Sequence, residues 1–137
     1  MAKFGTMEWA QKLMEELNNS QGYAAAAKNW DGDWYWVINA GGPIKSPIYL
    51  YLDLVKDKCR SVDVLDEANK TKYKPAYILR GDVKTWRDIA EKKVDSQACM
   101  LTGRLKLTGN MPKLLRNTKV SDELIKCVGQ VQTEWPE

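Results

Sequence analysis

The sequence contains no histidine. A Ser-His-Asp or Cys-His catalytic arrangement therefore cannot be built from its 137 residues, and a metal site with imidazole ligands is excluded as well. Cysteine is also scarce, with only Cys59, Cys99 and Cys127, widely spaced and without a C-x-x-C pair. This pattern argues against a disulfide framework or a zinc site and is typical of a reducing cytoplasm. Without a histidine to activate it, Cys99 is expected to be a buried structural thiol.

Long apolar runs and nucleotide-binding motifs are absent too. The most apolar run, residues 48–55, is interrupted by Asp53 and is too short to span a bilayer. No G-x-G-x-x-G, Walker A, G-x-S-x-G or H-E-x-x-H pattern occurs, and the N-terminus resembles no signal peptide. The net charge of +3 is too small to indicate nucleic-acid binding. We therefore expect a cytoplasmic protein with no cofactor, no metal and no nucleic-acid partner.

The aromatic residues are the most unusual part of what is present. The chain has six Trp and six Tyr but one Phe, and Trp and Tyr are common at binding surfaces as well as in cores. The length suits one domain with a sizeable core, so we expect residues 1–137 to form a single domain. Composition alone leaves open whether the aromatic residues fill that core or line a cavity within it.

Hydrophobic spacing, caps and turn residues predict the order of elements. Helices are predicted over residues 6–18, 23–30 and 83–94, with a last helix capped by Ser121, and strands over residues 34–40, 48–56, 59–65 and 75–80. Helices near both ends of a mostly antiparallel sheet indicate an α+β fold with the helices on one face. The opposite face is expected to be wetter, because Arg80 and other basic residues alternate onto it.

The segment LTGRLKLTGNMPKLLRN, residues 101–117, combines two patterns. Apolar and polar residues alternate from Leu101 to Gly109, which predicts a one-sided strand. From Met111 the apolar spacing becomes helical, with Asn110 as a cap and Pro112 in the first turn, where proline is tolerated. The strand and helix either complete the core or enclose a ligand.

Basic residues are concentrated in the same segment. A solvated polar face is one interpretation of this cluster, and a surface for anionic head groups is the other. The residues that we expect to contact head groups or a membrane are Arg104, Lys106, Lys113 and Arg116.

Residues 77–117 resemble the sterol carrier protein type 2 domain family. Members of that family typically carry G-K-L-K-I-x-G-D-M where this chain has GRLKLTGNM, residues 103–111, and Asn110 replaces the usual Asp. The resemblance implies a five-stranded sheet with helices on one face that enclose an apolar tunnel. It also implies non-catalytic binding of fatty acids, acyl coenzyme A, sterols and phospholipids. The basic residues of the segment lead us to expect, in addition, transient contact with anionic membranes.

The resemblance and the apolar faces of the predicted elements together suggest a set of lining residues. These are Trp36, Ile38, Tyr77, Leu79, Trp86, Ile89, Leu105, Leu107, Met111 and Leu115. Gly103 and Gly109 are expected to allow close approach between the strand and its neighbours.

Two other functions stay open on the sequence. In the first, Trp and Tyr side chains fill the cavity, and the protein is an interaction module or subunit without a lipid ligand. In the second, the protein is an enzyme that acts on a lipid, although the missing histidine makes this the least favoured interpretation.

Overall fold

Residues 1–136, which the computed structural model describes, form six helices and seven strands. The elements in chain order are β1 (Ala2–Lys3), α1 (Met7–Asn18), α2 (Gln21–Ala26), β2 (Trp34–Ile38), β3 (Ile48–Val55), β4 (Lys58–Leu65), β5 (Tyr77–Gly81), α3 (Val83–Ala90), α4 (Ser96–Thr102), β6 (Lys106–Thr108), α5 (Met111–Arg116), α6 (Thr118–Gln130) and β7 (Thr133–Glu134).

Five of the strands form one sheet in the order β4-β3-β2-β5-β6. All neighbours pair antiparallel except β2 and β5, where Trp36 is opposite Leu79 in a parallel register. The predicted α+β class with a mostly antiparallel five-stranded sheet is therefore confirmed. The short strands β1 and β7 form a separate parallel pair near the two ends of the described chain, and the sequence patterns do not predict them.

Local capping explains several helix starts. The side chains of Thr6, Asp82 and Asn110 each accept a hydrogen bond from the backbone N–H three residues later, at α1, α3 and α5. The prediction that Ser121 caps the last helix is wrong, because α6 already begins at Thr118 and Ser121 lies inside it. Helix α6 contacts α1, α2, α3 and α5, so it is the centre of the helical layer.

The inner face of the sheet carries the main core. Alternate residues of β2, β3 and β5 point toward the helices, where they meet the buried stripe of α1 and α6. The side chains of Trp36, Leu52 and Tyr77 on the sheet and Leu13 and Leu124 on the helices are 2% exposed or less.

The outer face of the sheet is more buried than the sequence predicts. Tyr35, Tyr49 and Tyr51 form a second buried cluster there, and the connection between β4 and β5 crosses over it. Tyr73 from that connection stacks on Tyr51 with ring centroids 3.8 Å apart, and the Tyr35 hydroxyl donates to the carbonyl of Lys70 at 2.8 Å. Tyrosine suits this position because its ring is buried while its hydroxyl reaches a polar partner.

The predicted strand over residues 101–109 is wrong in its first half. Residues 96–102 are helix α4, which Asp95 caps through the backbone N–H of Ala98, and only residues 106–108 pair with β5. Leu101 is consequently 89% exposed instead of lying on an inner strand face. Gly103 ends α4 with φ +83°, and a Cβ at this position would have nothing within 4 Å, so it supplies a left-handed conformation rather than close approach.

Gly109, in contrast, allows the backbone to pass close to Tyr77, as predicted. A Cβ placed on it would lie 2.5 Å from Tyr77 Cδ1 and 2.9 Å from the carbonyl oxygen of Ala76, and its φ is +142°. The chain can therefore turn from β6 into α5 directly against the Tyr77 ring only because residue 109 has no side chain.

Candidate functional site

Stacked aromatic rings occupy part of the space between the sheet and the helices. Trp34 stacks on Tyr77 with ring centroids 4.8 Å apart, and Trp30 lies 5.4 Å from the same tyrosine. Farther along β2, Trp36 stacks on Trp86 of α3 at 5.3 Å. These contacts place large rings where an open tunnel is expected.

A small apolar cavity remains beside these rings, between β2, β5 and the helices α4 to α6. Its volume is about 20 Å³. None of the nine residues that line it is charged, and the set consists of Trp34, Trp36, Leu79, Ser96, Met100, Leu114, Ser121, Leu124 and Ile125. The cavity could hold about one water molecule but not a lipid chain, since ligand pockets usually measure about 300–1,000 Å³. An apolar tunnel is therefore not seen in the part of the chain described.

The cavity lining includes two unusual polar groups. The indole N–H groups of Trp34 and Trp36 are buried and have no hydrogen-bond acceptor among the described residues. Other buried indoles are satisfied: Trp30 donates to the carbonyl of Gly32 at 2.9 Å, and Trp86 donates to the carbonyls of Val37 and Gly81 at 3.2 Å each.

The structure brings the expected lining residues together only in part. Trp36 and Leu79 border the cavity. Five others are buried in the same core without bordering it, namely Ile38, Tyr77, Trp86, Ile89 and Leu105, and Leu107 is partly buried against that core. Met111 and Leu115 do not line the cavity, because they lie on the solvent side of α5 with exposures of 39% and 59%.

Leu114 is the side chain of α5 that reaches the cavity. It is 3% exposed and is the only buried residue of this six-residue helix. The helical spacing of Met111, Leu114 and Leu115 predicts that all three side chains face the core. In the structure the side of α5 that faces the core is narrower and carries Leu114 alone of the three. Reasoning from the sequence also misses Trp34 and the contribution of α4, because the alternating pattern hides the helix at residues 96–102.

The predicted basic cluster is divided between two ends of the sheet. Arg104 lies near Gly81 and forms an ion pair with Asp88 at 3.0 Å, which lowers the pKa of that carboxyl together with Lys84. Lys113 lies at the opposite end of β5, where its Nζ is 5.0 Å from the centre of the Trp30 ring. The register also pairs Lys106 with Arg80, on the outer face. Arg116 is exposed and directly follows Leu115 on α5.

A larger surface cleft lies elsewhere. It measures about 620 Å³ and runs between the loop after β2, the start of α3 and Pro136. Its walls include Asp82, Lys84 and Asp88, and Lys84 forms an ion pair with Asp88 at 3.1 Å. An apolar chain would gain little binding free energy in a cleft whose charged walls are open to water, so this cleft is not suited to a lipid chain.

The three thiols are free and buried. Desolvation raises the pKa of Cys99, and it raises the pKa of Cys59 to about 12. Such thiols remain protonated near neutral pH and are poor nucleophiles. The structural interpretation of Cys99 thus agrees with its burial.

Comparison with known proteins supports the same fold. The model of the SCP-2 sterol transfer family matches residues 8–122. A crystal structure of sterol carrier protein 2 superimposes with a TM-score of 0.86 at 23% identity, covering 94% of this chain and 99% of that one. A conserved hypothetical protein from Thermus thermophilus gives 0.85 at 22% identity, covering 98% and 93%. The sterol carrier protein domain 2 of Helicoverpa armigera gives 0.61 at 17% identity, covering 96% and 94%. No curated protein sequence matches the chain significantly.

The fold is that of a sterol-carrier-type domain. The chain belongs to the SCP-2 sterol transfer family, whose model spans most of its length. In residues 1–136 no helix is long and apolar enough to cross a membrane.

Proposed function

We propose that the protein is a non-catalytic cytoplasmic carrier that binds one hydrophobic ligand, such as a fatty acid, acyl coenzyme A, a sterol or an isoprenoid lipid. The observation that carries this proposal is the uncharged cavity between β2, β5 and α4 to α6 in a chain of the SCP-2 sterol transfer family. Each buried CH₂ group contributes about 0.8 kcal/mol to binding, before the costs of ordering the ligand and the protein are subtracted.

Ligand binding requires the cavity to enlarge. Helix α5 is suited to move, because it is short, contributes one buried side chain and contacts α6 only sparsely. Withdrawal of Leu114 would widen the cavity on the side of α5, where Met111 and Leu115 are exposed. The ligand would then replace the contacts that Leu114 makes in the closed state.

The exposed side of α5 is also where we propose transient contact with anionic membranes. Met111 and Leu115 are four positions apart and thus share one side of the helix. Arg116 follows them and is exposed. Two apolar side chains next to a basic one favour the surface of an anionic bilayer, where each basic residue contributes about 1 kcal/mol.

One observation favours the alternative of an interaction module without a lipid ligand. The rings of Trp34, Tyr77, Trp36 and Trp86 leave a cavity of only about 20 Å³. If the aromatic core does not open, no hydrophobic ligand is bound and the function of the domain is carried by its surface.

Titration with a fluorescent fatty acid separates these two functions. The carrier proposal predicts saturation near one ligand per chain and a change in tryptophan emission. Leu114→Trp should fill the cavity and weaken binding, whereas Leu115→Trp, the same change on the solvent side of α5, should leave the affinity nearly unchanged. No saturable binding of fatty acids, acyl coenzyme A or isoprenoids would reject the carrier proposal and favour the interaction module.

A further inference from the structure

The two unsatisfied indoles indicate what kind of ligand the cavity accepts. We propose that the site selects a neutral carbonyl-bearing lipid, such as an ester or a ketone, whose oxygen accepts hydrogen bonds from the N–H groups of Trp34 and Trp36. This inference rests on the proposed function, and it specifies the polar group that accompanies the apolar chain.

The coincidence of three properties carries the inference. Trp34 and Trp36 are each 2% exposed, both border the same cavity, and neither N–H has an acceptor in the described residues. They are two positions apart on β2, so their side chains leave the strand on the same face. Two buried tryptophans that border one cavity and have unpaired N–H groups are suited to bind an acceptor that enters it.

The other buried indoles show that the fold satisfies such groups where no ligand is needed. Trp9 donates to the Thr133 hydroxyl at 2.9 Å, Trp30 to the Gly32 carbonyl and Trp86 to two carbonyls. Tyr23 also has a buried hydroxyl without a partner among residues 1–136, but it does not border the cavity, and we infer nothing from it.

The uncharged lining indicates that the polar group of the ligand is neutral. Nine uncharged residues surround the cavity, including Ser96 and Ser121 as its other polar side chains. An ionised carboxylate would lose its hydration there without meeting a cation, which is costly. A neutral carbonyl loses much less, and two N–H donors replace the hydrogen bonds that it gives up in water. A pure hydrocarbon would leave both donors unpaired.

An isosteric pair of ligands tests the inference. In 2-undecanone the acceptor is a carbonyl, and in 2-methyl-1-undecene a methylidene group of similar shape replaces it. Transfer from water to an apolar site is by itself more favourable for the alkene than for the ketone, since the alkene gives up no hydrogen bonds with water. We expect the protein to reverse this order and bind the ketone at least about fivefold tighter. Undecanoate supplies the ionised comparison and should bind more weakly than the ketone at neutral pH.

Variants connect the preference to the two indoles. Trp34→Phe and Trp36→Phe should each shift the ketone-to-alkene affinity ratio by about fivefold toward the alkene. The ratio is the relevant measurement, because the smaller ring also enlarges the cavity and strengthens binding of both ligands. Trp30→Phe is the matched control, since its N–H already donates to Gly32 and it does not border the cavity. That variant should leave the ratio unchanged.

Indole NMR signals give a second test that needs no variant to be stable. In ¹⁵N-labelled wild-type protein, the ketone should move two indole N–H signals downfield, and the alkene should not. If both ligands bind, the alkene is preferred and no indole signal moves, the inference is overturned while the carrier proposal stands. If neither ligand binds but the fluorescent fatty acid does, the inference is overturned and the carrier proposal stands. If none of the three binds, both fail.

Discussion

Trp36 and Trp86 stack with ring centroids 5.3 Å apart and an angle of 30° between their planes, yet their N–H groups have opposite environments. Trp86 donates to the carbonyls of Val37 and Gly81, whereas Trp36 has no acceptor among the described residues. The pair thus joins a structural tryptophan to one that borders the cavity. The same substitution at the two positions should therefore have different consequences.

Trp86→Phe should lower the free energy of unfolding more than Trp36→Phe does. The first change removes an indole donor that the carbonyls of Val37 and Gly81 share, and a buried hydrogen bond contributes about 0.5–1.5 kcal/mol. The Gly81 carbonyl still accepts from the Asn39 backbone N–H at 2.9 Å. The second change removes an unpaired donor and loses only packing. Urea unfolding of both variants gives the comparison. Equal losses would show that the Trp86 hydrogen bonds contribute little to stability.

Leu114→Ala should destabilise the protein by about 2–4 kcal/mol, because Leu114 is buried beside the cavity. Leu115→Ala should change stability by less than about 0.5 kcal/mol, since that side chain is 59% exposed. Thermal and urea unfolding measure both values. If α5 is the moving element, Leu114→Ala should also speed release of a bound fluorescent acyl chain. Unchanged release in a folded Leu114→Ala protein would place the opening elsewhere.

Gly109→Ala should cost more stability than Gly103→Ala. Both glycines have positive φ, but a Cβ at residue 109 would lie 2.5 Å from the Tyr77 ring, and one at residue 103 has nothing within 4 Å. The change at 103 is expected to cost about 1 kcal/mol from backbone strain alone. The change at 109 must in addition displace Tyr77 or the turn into α5. Similar losses for the two variants would contradict the close approach.

Alkaline pH should destabilise the protein in part through Cys59. Burial raises the pKa of this thiol to about 12 from an ordinary value of 9.0, so the folded state holds its proton longer than the unfolded state. The resulting contribution to stability is fully present below pH 9.0 and is lost progressively as the pH rises from there toward about 12. Cys59→Ala should therefore lose less stability between neutral pH and pH 10 than the wild type does, measured by urea unfolding with reductant. An identical loss in the two proteins would assign the pH dependence to other groups.

Arg116→Glu should slow transfer of a bound lipid to anionic vesicles while its equilibrium affinity stays nearly constant. Arg116 follows the exposed pair Met111 and Leu115 on α5, so the change replaces attraction to the bilayer by repulsion. High salt should slow wild-type transfer in the same way, because it screens surface charges. Lys12→Glu is a control of equal charge change on α1. If transfer is insensitive to Arg116→Glu and to salt, exchange occurs by diffusion through water.

Local patterns in the sequence determined most of the secondary structure. The caps Thr6, Asp82 and Asn110 act on the backbone N–H three residues later, so they can be read without any knowledge of distant residues. Alternation over residues 34–38 and the hairpin around residue 57 were likewise sufficient for β2, β3 and β4. The alternation around Leu101 predicts the wrong element, because the cap at Asp95 and the helix-ending Gly103 outweigh it.

Only the tertiary structure decided what these elements enclose. The size of the cavity depends on ring contacts between residues far apart in the chain, such as Trp34 with Tyr77 and Trp36 with Trp86. The same packing turned Leu114 inward and left Leu115 in solvent, although the two are adjacent in sequence. It also left the indoles of Trp34 and Trp36 without acceptors in the described structure while satisfying the others named above. Hydrophobic spacing indicates which side of an element is apolar, but the volume and the unpaired donors of a site depend on how several such sides meet.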